Sequence, residues 1–157
     1  MISVQHSPHL GEKPLIIAIG NPWRGDDGVA VKALESLQQN YAGAFEFKHC
    51  QGEATTLMEL WKHREDVRVI DALSSGQFPV GSVQVFEPIK QTLPAELFTI
   101  SSHGFGLFEA IQLSEALDCL PKNLRLVCIE ASNFAVGQGL SPEVKQAIDK
   151  IIEETIR

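Results

Sequence analysis

Carboxylates and one imidazole from three separate segments stand out in this 157-residue chain as candidates for chemistry. Asp26 and Asp27 are the acidic pair of the segment NPWRGDDG, Asp71 lies within VIDAL, and His103 directly precedes the run GFGLFEAI. Imidazole and carboxylate ligands together suit a divalent transition metal such as zinc, nickel or iron. These residues therefore predict a metal or catalytic site, provided that the fold brings them together.

The elements that must position these residues alternate between strands and helices. LIIAIG and VRVIDAL are continuous apolar runs, which are typical of strands buried on both faces. FEFKHC and RLVCIEA are predicted as two further strands of the same sheet. Helices are predicted over VAVKALESLQQ, TTLMELWKH, GFGLFEAIQLSEAL (with Ser101 and Ser102 as cap candidates) and SPEVKQAIDKIIEETI (with Ser141 as N-cap).

One strand is expected to run against the others. SVQVFE, over Ser82–Glu87, follows VIDAL after a short loop, whereas a parallel neighbour needs a crossover of a dozen or more residues. The sequence therefore predicts an α/β fold, a three-layer α/β/α sandwich around a five-stranded, mostly parallel sheet with one antiparallel edge strand.

This topology gathers the candidate residues at one edge of the sheet. The first strand ends at the turn that contains Asp26 and Asp27, and the third strand ends at Asp71. The helix that begins near His103 must lead to the start of the last parallel strand, so its N-terminus lies at the same carboxyl edge, where such sheets bind ligands. The helix dipole there disfavours a charged imidazole and would keep His103 neutral and able to bind a metal.

Each of these residues also has a purely structural interpretation. Asp26 and Asp27 are suitable caps for the helix that follows them, and Asp71 is a suitable loop-forming residue after a strand. His103 alone is a common kind of polar residue at a helix start. Their expected convergence, rather than any one of them, favours a functional site.

Composition excludes several classes of partner. Thirteen Lys and Arg residues against 20 Asp and Glu residues give a net charge of −7, which argues against nucleic acid or an anionic membrane as the main partner. No apolar run is long enough for membrane insertion.

The cysteines and the first residues give two further expectations. Three cysteines without a C-x-x-C pair fit a reducing cytoplasm. The polar residues 1–14 are expected to form a flexible leader.

The segment IAIGNPWRGDDGVAVKALESL resembles the opening of the hydrogenase maturation endopeptidases. The resemblance continues in order through VIDAL, SSHGFGLFEAI and GLSPEVKQAI, and so covers essentially the whole chain beyond residue 14. It implies a single α/β protease domain over residues 15–157. The activity that it implies is removal of a C-terminal extension from the large-subunit precursor of a [NiFe] hydrogenase after nickel insertion.

The resemblance also implies which of the candidate residues act and what they do. Asp27, the second acid of the pair, Asp71 and His103 are expected to be both the catalytic set and the ligands of a nickel ion that the precursor supplies. The first ligand is often glutamate in the family, so the shorter Asp27 is expected to hold the metal nearer to the turn. The segment after the second strand, often aspartate-glycine-glycine-threonine and thought to select the substrate, here reads Cys50-Gln51-Gly52-Glu53-Ala54-Thr55.

The mechanism and two other functions remain open from the sequence. The metal could polarise the scissile carbonyl or activate water with Asp26 as base, or serve only as a checkpoint that positions the bond. A phosphate-binding module at the first helix is disfavoured because two aspartates there repel phosphate unless Mg²⁺ intervenes. A non-catalytic nickel-delivery or docking protein could use the same three ligands.

Two further residues have no assigned role from the sequence. Glu130 adds a carboxylate at the same edge of the sheet. Trp23 is an aromatic residue in a turn, where it is available as a contact for a partner.

Overall fold

The computed structural model describes residues 12–99 and 102–157, with the backbone alone at residues 99 and 102–105. Its strands are β1 (Leu15–Ile19), β2 (Glu46–Cys50), β3 (Asp66–Leu73), β4 (Val83–Phe86) and β5 (Asn123–Glu130). They form one sheet in the order β2-β1-β3-β5-β4, in which only the edge strand β4 runs antiparallel to its neighbour. The predicted sheet is confirmed. Most of the predicted leader, residues 1–11, lies outside the described residues.

Helices cover both faces of this sheet. They are α1 (Val29–Asn40), α2 (Ala54–Trp61), α3 (Ala95–Thr99), α4 (Ser102–Ala116), α5 (Pro142–Gln146) and α6 (Ile148–Ile156), with a 3₁₀ turn at Gly25–Gly28 before α1. Buried side chains of α2, α3 and α4 pack on one face, and those of α1, α5 and α6 pack on the other. The three-layer arrangement is therefore also confirmed.

Strand side chains alternate between the two cores, as a pleated strand requires. In β1, Leu15, Ile17 and Ile19 belong to the core under α2 and α4, whereas Ile16 and Ala18 belong to the core under α1. All five residues are buried, which explains why the strand is an unbroken apolar run in the sequence.

The structure differs from the sequence-based expectation in three helices. The connection PIKQTLPAELFTI contains α3, whose five residues are too few for a helical period to be visible in the sequence. The last predicted helix is divided at Ala147 into α5 and α6. Ser102, expected as a cap, is already part of α4, while Ser101 lies outside the described residues.

No helix within residues 12–99 and 102–157 is both long and apolar enough to cross a membrane.

The packing contact that matters most for the site joins α4 to the turn after β2. A Cβ atom at Gly106 of α4 would lie 1.9 Å from the carbonyl oxygen of Gly52. Only glycine at position 106 therefore allows the first turns of α4 to approach the residues that follow β2.

Substitution of Gly106 by alanine tests this close approach. Gly106→Ala should lower the free energy of unfolding by about 1–3 kcal/mol, because α4 or the turn must move to accommodate the methyl group. This loss outweighs the roughly 1 kcal/mol that alanine gains over glycine in a helix. Urea denaturation measures the difference. Gly43→Ala is the control, since nothing lies within 4 Å of a Cβ there, and equal stabilities of the two variants would contradict the close contact.

Candidate functional site

A polar cleft of about 330 Å³ lies where the parallel strands β1 and β2 end. It is lined by the last residue of β1, the turn after β1, the turn after β2 and one residue of α4: Ile19, Asn21, Arg24, Asp27, Gln51, Gly52, Glu53 and Gly106. Two acidic residues and one basic residue, Asp27, Glu53 and Arg24, thus line the cleft. This charge balance suits a cationic ligand better than a phosphate group.

Asp27 is held in this cleft by the turn that follows β1. The backbone N–H of Asn21 donates a hydrogen bond of 2.8 Å to its Oδ2 atom. The backbone also approaches closely, because a Cβ atom on Gly20, where φ is +142°, would lie 2.0 Å from the Asp27 carbonyl oxygen. Neither α1 nor the 3₁₀ turn has a side-chain N-cap, so the interpretation of the acidic pair as helix caps is wrong.

Asp71 is buried at the end of β3, with 1% of its surface exposed. Neither carboxylate oxygen has a hydrogen-bond partner among the described residues. Burial raises the pKa of Asp71 well above its ordinary value, and the negative charge of Asp27 raises it further, while the nearby N–H of Ala72 opposes the shift. The Coulombic effect of Asp27 on Asp71 means that the structure brings these two predicted site residues together.

Asp26, the other acid of the pair, has a structural role. The backbone N–H groups of Ser132 and Asn133 donate to its Oδ2 atom at 3.1 Å, and that of Ser141 donates to Oδ1 at 2.7 Å. The Ser141 hydroxyl lies within 2.9 Å of both oxygens. Burial by itself raises the pKa of Asp26, but the hydrogen bonds from these three residues outweigh burial and lower the pKa. A fully buried, hydrogen-bonded carboxylate of this kind is a poor general base.

Glu130, unassigned from the sequence, is likewise occupied by hydrogen bonds. The Ser75 hydroxyl donates to its Oε1 atom at 2.6 Å, and the backbone N–H of Gly76 donates to Oε2 at 2.9 Å. Its carboxylate therefore fastens the loop that leads from β3 to β4. Sequence reasoning placed this carboxylate at the correct edge but had no signal for its partners, which lie 54 and 55 residues away.

Two cysteines lie close to Asp71 on the sheet. Cys128 pairs with Asp71 in the register of β3 and β5, and Cys50 pairs with Ile19 at the end of β2. Burial raises the pKa of Cys50 to about 11, with smaller contributions from the charges of Asp71 and Glu53 and a partial offset from a Gly52 hydrogen bond. Burial also raises the pKa of Cys128 well above its ordinary value. Both are therefore neutral thiols at neutral pH, which argues against a cysteine nucleophile.

His103 belongs to the first turn of α4, but its side chain lies outside the described part of the chain. Gly106, one turn further along, lines the cleft, so the start of α4 borders it. Over the residues whose side chains are described, no group of three potential metal ligands is present. The meeting of Asp27 and Asp71 with His103 thus stays a prediction.

Two contributors to the site were missed in the sequence. Arg24 is the basic residue of the cleft, and its Nε atom donates to the carbonyl oxygen of Phe134 at 3.3 Å. Ser141 was predicted as an N-cap, and its backbone has the extended conformation of one, but its hydroxyl makes no capping hydrogen bond and is directed to Asp26 instead. No local sequence signal distinguishes these roles.

Comparison with known proteins gives one consistent result. The family model described as HycI, hydrogenase maturation protease, matches residues 31–157, a range that includes Asp71 and His103 and begins after Asp27. The Hydrogenase 2 maturation protease of Escherichia coli (strain K12) is 27% identical over 147 residues, which span 90% of this chain and 87% of that protein.

Solved structures with the same fold carry related descriptions. The hydrogenase maturating endopeptidase HybD from E. coli superposes with a TM-score of 0.74 at 26% identity, covering 90% of this chain and 88% of that one. The [NiFe] hydrogenase maturation protease HybD from Thermococcus kodakarensis gives a TM-score of 0.69, also at 26% identity, with coverages of 90% and 95%.

The role of Asp26 predicts a pH-dependent loss of stability on substitution. Asp26→Asn should lower the free energy of unfolding by about 2–3 kcal/mol at neutral pH, because charge-assisted hydrogen bonds to buried N–H groups are lost. Since folding lowers the pKa of Asp26, its contribution is complete above the unfolded value of about 3.9 and is lost as the pH falls through the folded value. Urea denaturation from about pH 7 to about pH 3 should show the difference shrinking.

Ser141→Ala serves as the matched control for that measurement. It removes the hydroxyl donor but keeps the carboxylate and the three backbone hydrogen bonds, so it should cost only about 1 kcal/mol. An Asp26→Asn variant as stable as wild type at neutral pH would contradict the structural role of Asp26.

Substitution of Asp71 is expected to raise the free energy of unfolding, whereas substitution of Asp26 lowers it. Because folding raises the pKa of Asp71, the native state loses stability as the pH rises above the unfolded value of about 3.9. Asp71→Asn cannot ionise and should raise the free energy of unfolding by at least about 1 kcal/mol at neutral pH, with a smaller gain in acid. Asp66→Asn on the same strand, which breaks the ion pair with Arg68, should give no gain. A destabilised Asp71→Asn variant would mean that the folded protein stabilises the carboxylate.

Proposed function

Because the chain belongs to the hydrogenase maturation protease family, we propose that it is an endopeptidase that removes the C-terminal extension from the large-subunit precursor of a [NiFe] hydrogenase after nickel insertion. In this proposal the nickel ion arrives with the precursor and is bound by Asp27, Asp71 and His103. The substrate is thus a protein that carries its own metal, and the protease recognises both.

The observation that carries this proposal is the state of Asp71. Four fully or nearly buried carboxylates lie near the carboxyl edge of the sheet. Asp26 and Glu130 accept several hydrogen bonds, and Asp27 accepts one from the N–H of Asn21. Asp71 accepts none from the described residues, although a buried carboxylate without partners is costly. A carboxylate that serves only the fold would have acquired donors, as Asp26 and Glu130 have. Asp71 is therefore best explained as a ligand for a cation.

Asp27 and His103 complete the proposed ligand set. Asp27 lines the cleft and is close enough to Asp71 for their charges to interact, and a divalent cation would relieve that repulsion. The start of α4, which carries His103, borders the same cleft. Imidazole and carboxylate ligands from three separate segments are a donor set that nickel accepts.

This arrangement gives nickel a role as a checkpoint. The protease and the precursor each supply some of the ligands, so a precursor without nickel binds weakly and is not cut. Of the two acids in the turn, Asp26 is committed to the fold and Asp27 is the one available to the substrate. We therefore replace the hypothesis of Asp26 as base with a role for Asp26 in holding the turn.

The turn after β2 supports a role in choosing the substrate. Gln51, Gly52 and Glu53 line the cleft directly, so the residues in which this chain departs from the usual family pattern would face the precursor. We assign the reaction to the cytoplasm, a reducing compartment in which the three cysteines stay the free thiols that they are in the structure.

The proposal is tested by intact-mass spectrometry of a hydrogenase large-subunit precursor incubated with this protein. Loss of one C-terminal peptide is expected from the nickel-loaded precursor and not from the nickel-free one. Asp71→Asn and His103→Ala should abolish this cleavage. Because Asp71→Asn is expected to be more stable than wild type, loss of activity in that variant cannot be attributed to unfolding.

Two outcomes would overturn parts of the proposal. Cleavage at the wild-type rate by either variant would mean that the ligand set is wrong. A stable complex with the loaded precursor that never releases a peptide would favour a non-catalytic docking or nickel-delivery protein instead.

A further inference from the structure

Two large apolar side chains stand exposed beside the cleft. Trp23 and Val136 have 75% and 76% of their surfaces exposed, more than any other large hydrophobic side chain among the described residues. Trp23 belongs to the turn after β1 and Val136 to the loop between β5 and α5. The two loops are joined, because Gly137 N–H donates to the Trp23 carbonyl at 2.9 Å and Arg24 pairs with Val136 in an antiparallel bridge.

The backbone beneath these side chains is fixed. The N–H of Asp26 donates to the carbonyl of Asn133 at 2.6 Å, and the N–H of Gly25 donates to that of Gln138 at 3.1 Å. Gly25 has a φ of +54°, and a Cβ atom there would lie 2.4 Å from the Asn133 carbonyl oxygen. The Asp26 carboxylate adds its hydrogen bonds to the same loop. Two exposed apolar side chains on a rigid backbone lose little entropy when a partner covers them.

This pair is continuous with the cleft. Trp23 lies between the cleft residues Asn21 and Arg24 in the chain, and its backbone N–H donates to the Asn21 side-chain oxygen at 2.9 Å. Among the residues that line the cleft, Arg24 is the one positive charge. Tryptophan and arginine are the side chains most often found at the energetic centres of protein interfaces.

We propose that Trp23 and Val136 form a docking surface for the substrate precursor, separate from the residues that bind its nickel. The surface takes an apolar side chain of the precursor, and Arg24 pairs with an acidic group beside it. This inference rests on the proposed function. The pair adjoins the cleft residues Asn21 and Arg24, so a precursor bound in the cleft lies beside it. A second copy of this chain would instead bring together two molecules of net charge −7.

Steady-state cleavage of the nickel-loaded precursor, followed by mass spectrometry, separates docking from chemistry. Trp23→Ala and Val136→Ser should each raise KM, Trp23→Ala by about tenfold or more, and leave kcat within about twofold of wild type. Trp23→Phe should recover most of the affinity, since it keeps an aromatic surface. Leu117→Ala is the matched control, because Leu117, directly after the end of α4, is a 67% exposed apolar side chain outside the cleft, and it should leave KM unchanged.

The outcomes distinguish this inference from the proposed function. Normal cleavage by wild type together with an unchanged KM for Trp23→Ala overturns the docking surface alone. Wild type that binds the loaded precursor without cutting it overturns the endopeptidase, and a weaker complex with Trp23→Ala would still support the surface. A wild type that neither binds nor cuts overturns both. If Trp23→Ala instead converts a dimer of the protein to a monomer in light scattering, a second copy is the partner and the inference is wrong.

Discussion

The buried carboxylate of Asp26 is the interaction on which the site depends. It joins the turn after β1 to the loop after β5 through the backbone N–H groups of Ser132, Asn133 and Ser141 and the Ser141 hydroxyl. Three backbone hydrogen bonds and one isolated bridge also join these two segments, and the buried charged acceptor with its several donors strengthens the junction. The position of Asp27 in the cleft and the rigidity of the loops that carry Trp23 and Val136 depend on these contacts together.

The buried carboxylates near one edge of the sheet thus have different roles, and their surroundings explain the difference. Asp26 and Glu130 are surrounded by N–H and O–H donors that favour the charged form and tie loops to the sheet. Asp71 is buried near two protonated thiols and the negative charge of Asp27, and the N–H of Ala72 offsets these effects only in part. A proton can neutralise Asp71 in the free protein, and a divalent cation could do so in the complex with a substrate, at the expense of stability when neither is bound.

The order and type of the main elements could be predicted from the sequence, because strands that are buried on both faces consist of continuous apolar residues. β1 and β3 are continuous apolar runs, and the short loop between β3 and β4 requires an antiparallel strand. The shorter helices could not be predicted from the sequence. α3 has too few residues for a period, and the division between α5 and α6 at Ala147 depends on how the two pieces pack rather than on a breaking residue.

The candidate site, like the fold, could be predicted from the sequence only in part. The amino-acid sequence was sufficient to put Asp27 and Asp71 at one edge of the sheet, since Asp27 follows one apolar strand, Asp71 lies near the end of another, and parallel strands end together. It could not distinguish Asp26 from Asp27, two identical side chains at adjacent positions. The donors that occupy Asp26 lie 106 to 115 residues away, and only the folded chain brings them within hydrogen-bond distance. Hydrogen bonds act over about 3 Å of space, so a role that depends on them is decided by three-dimensional proximity and leaves no local pattern in the chain.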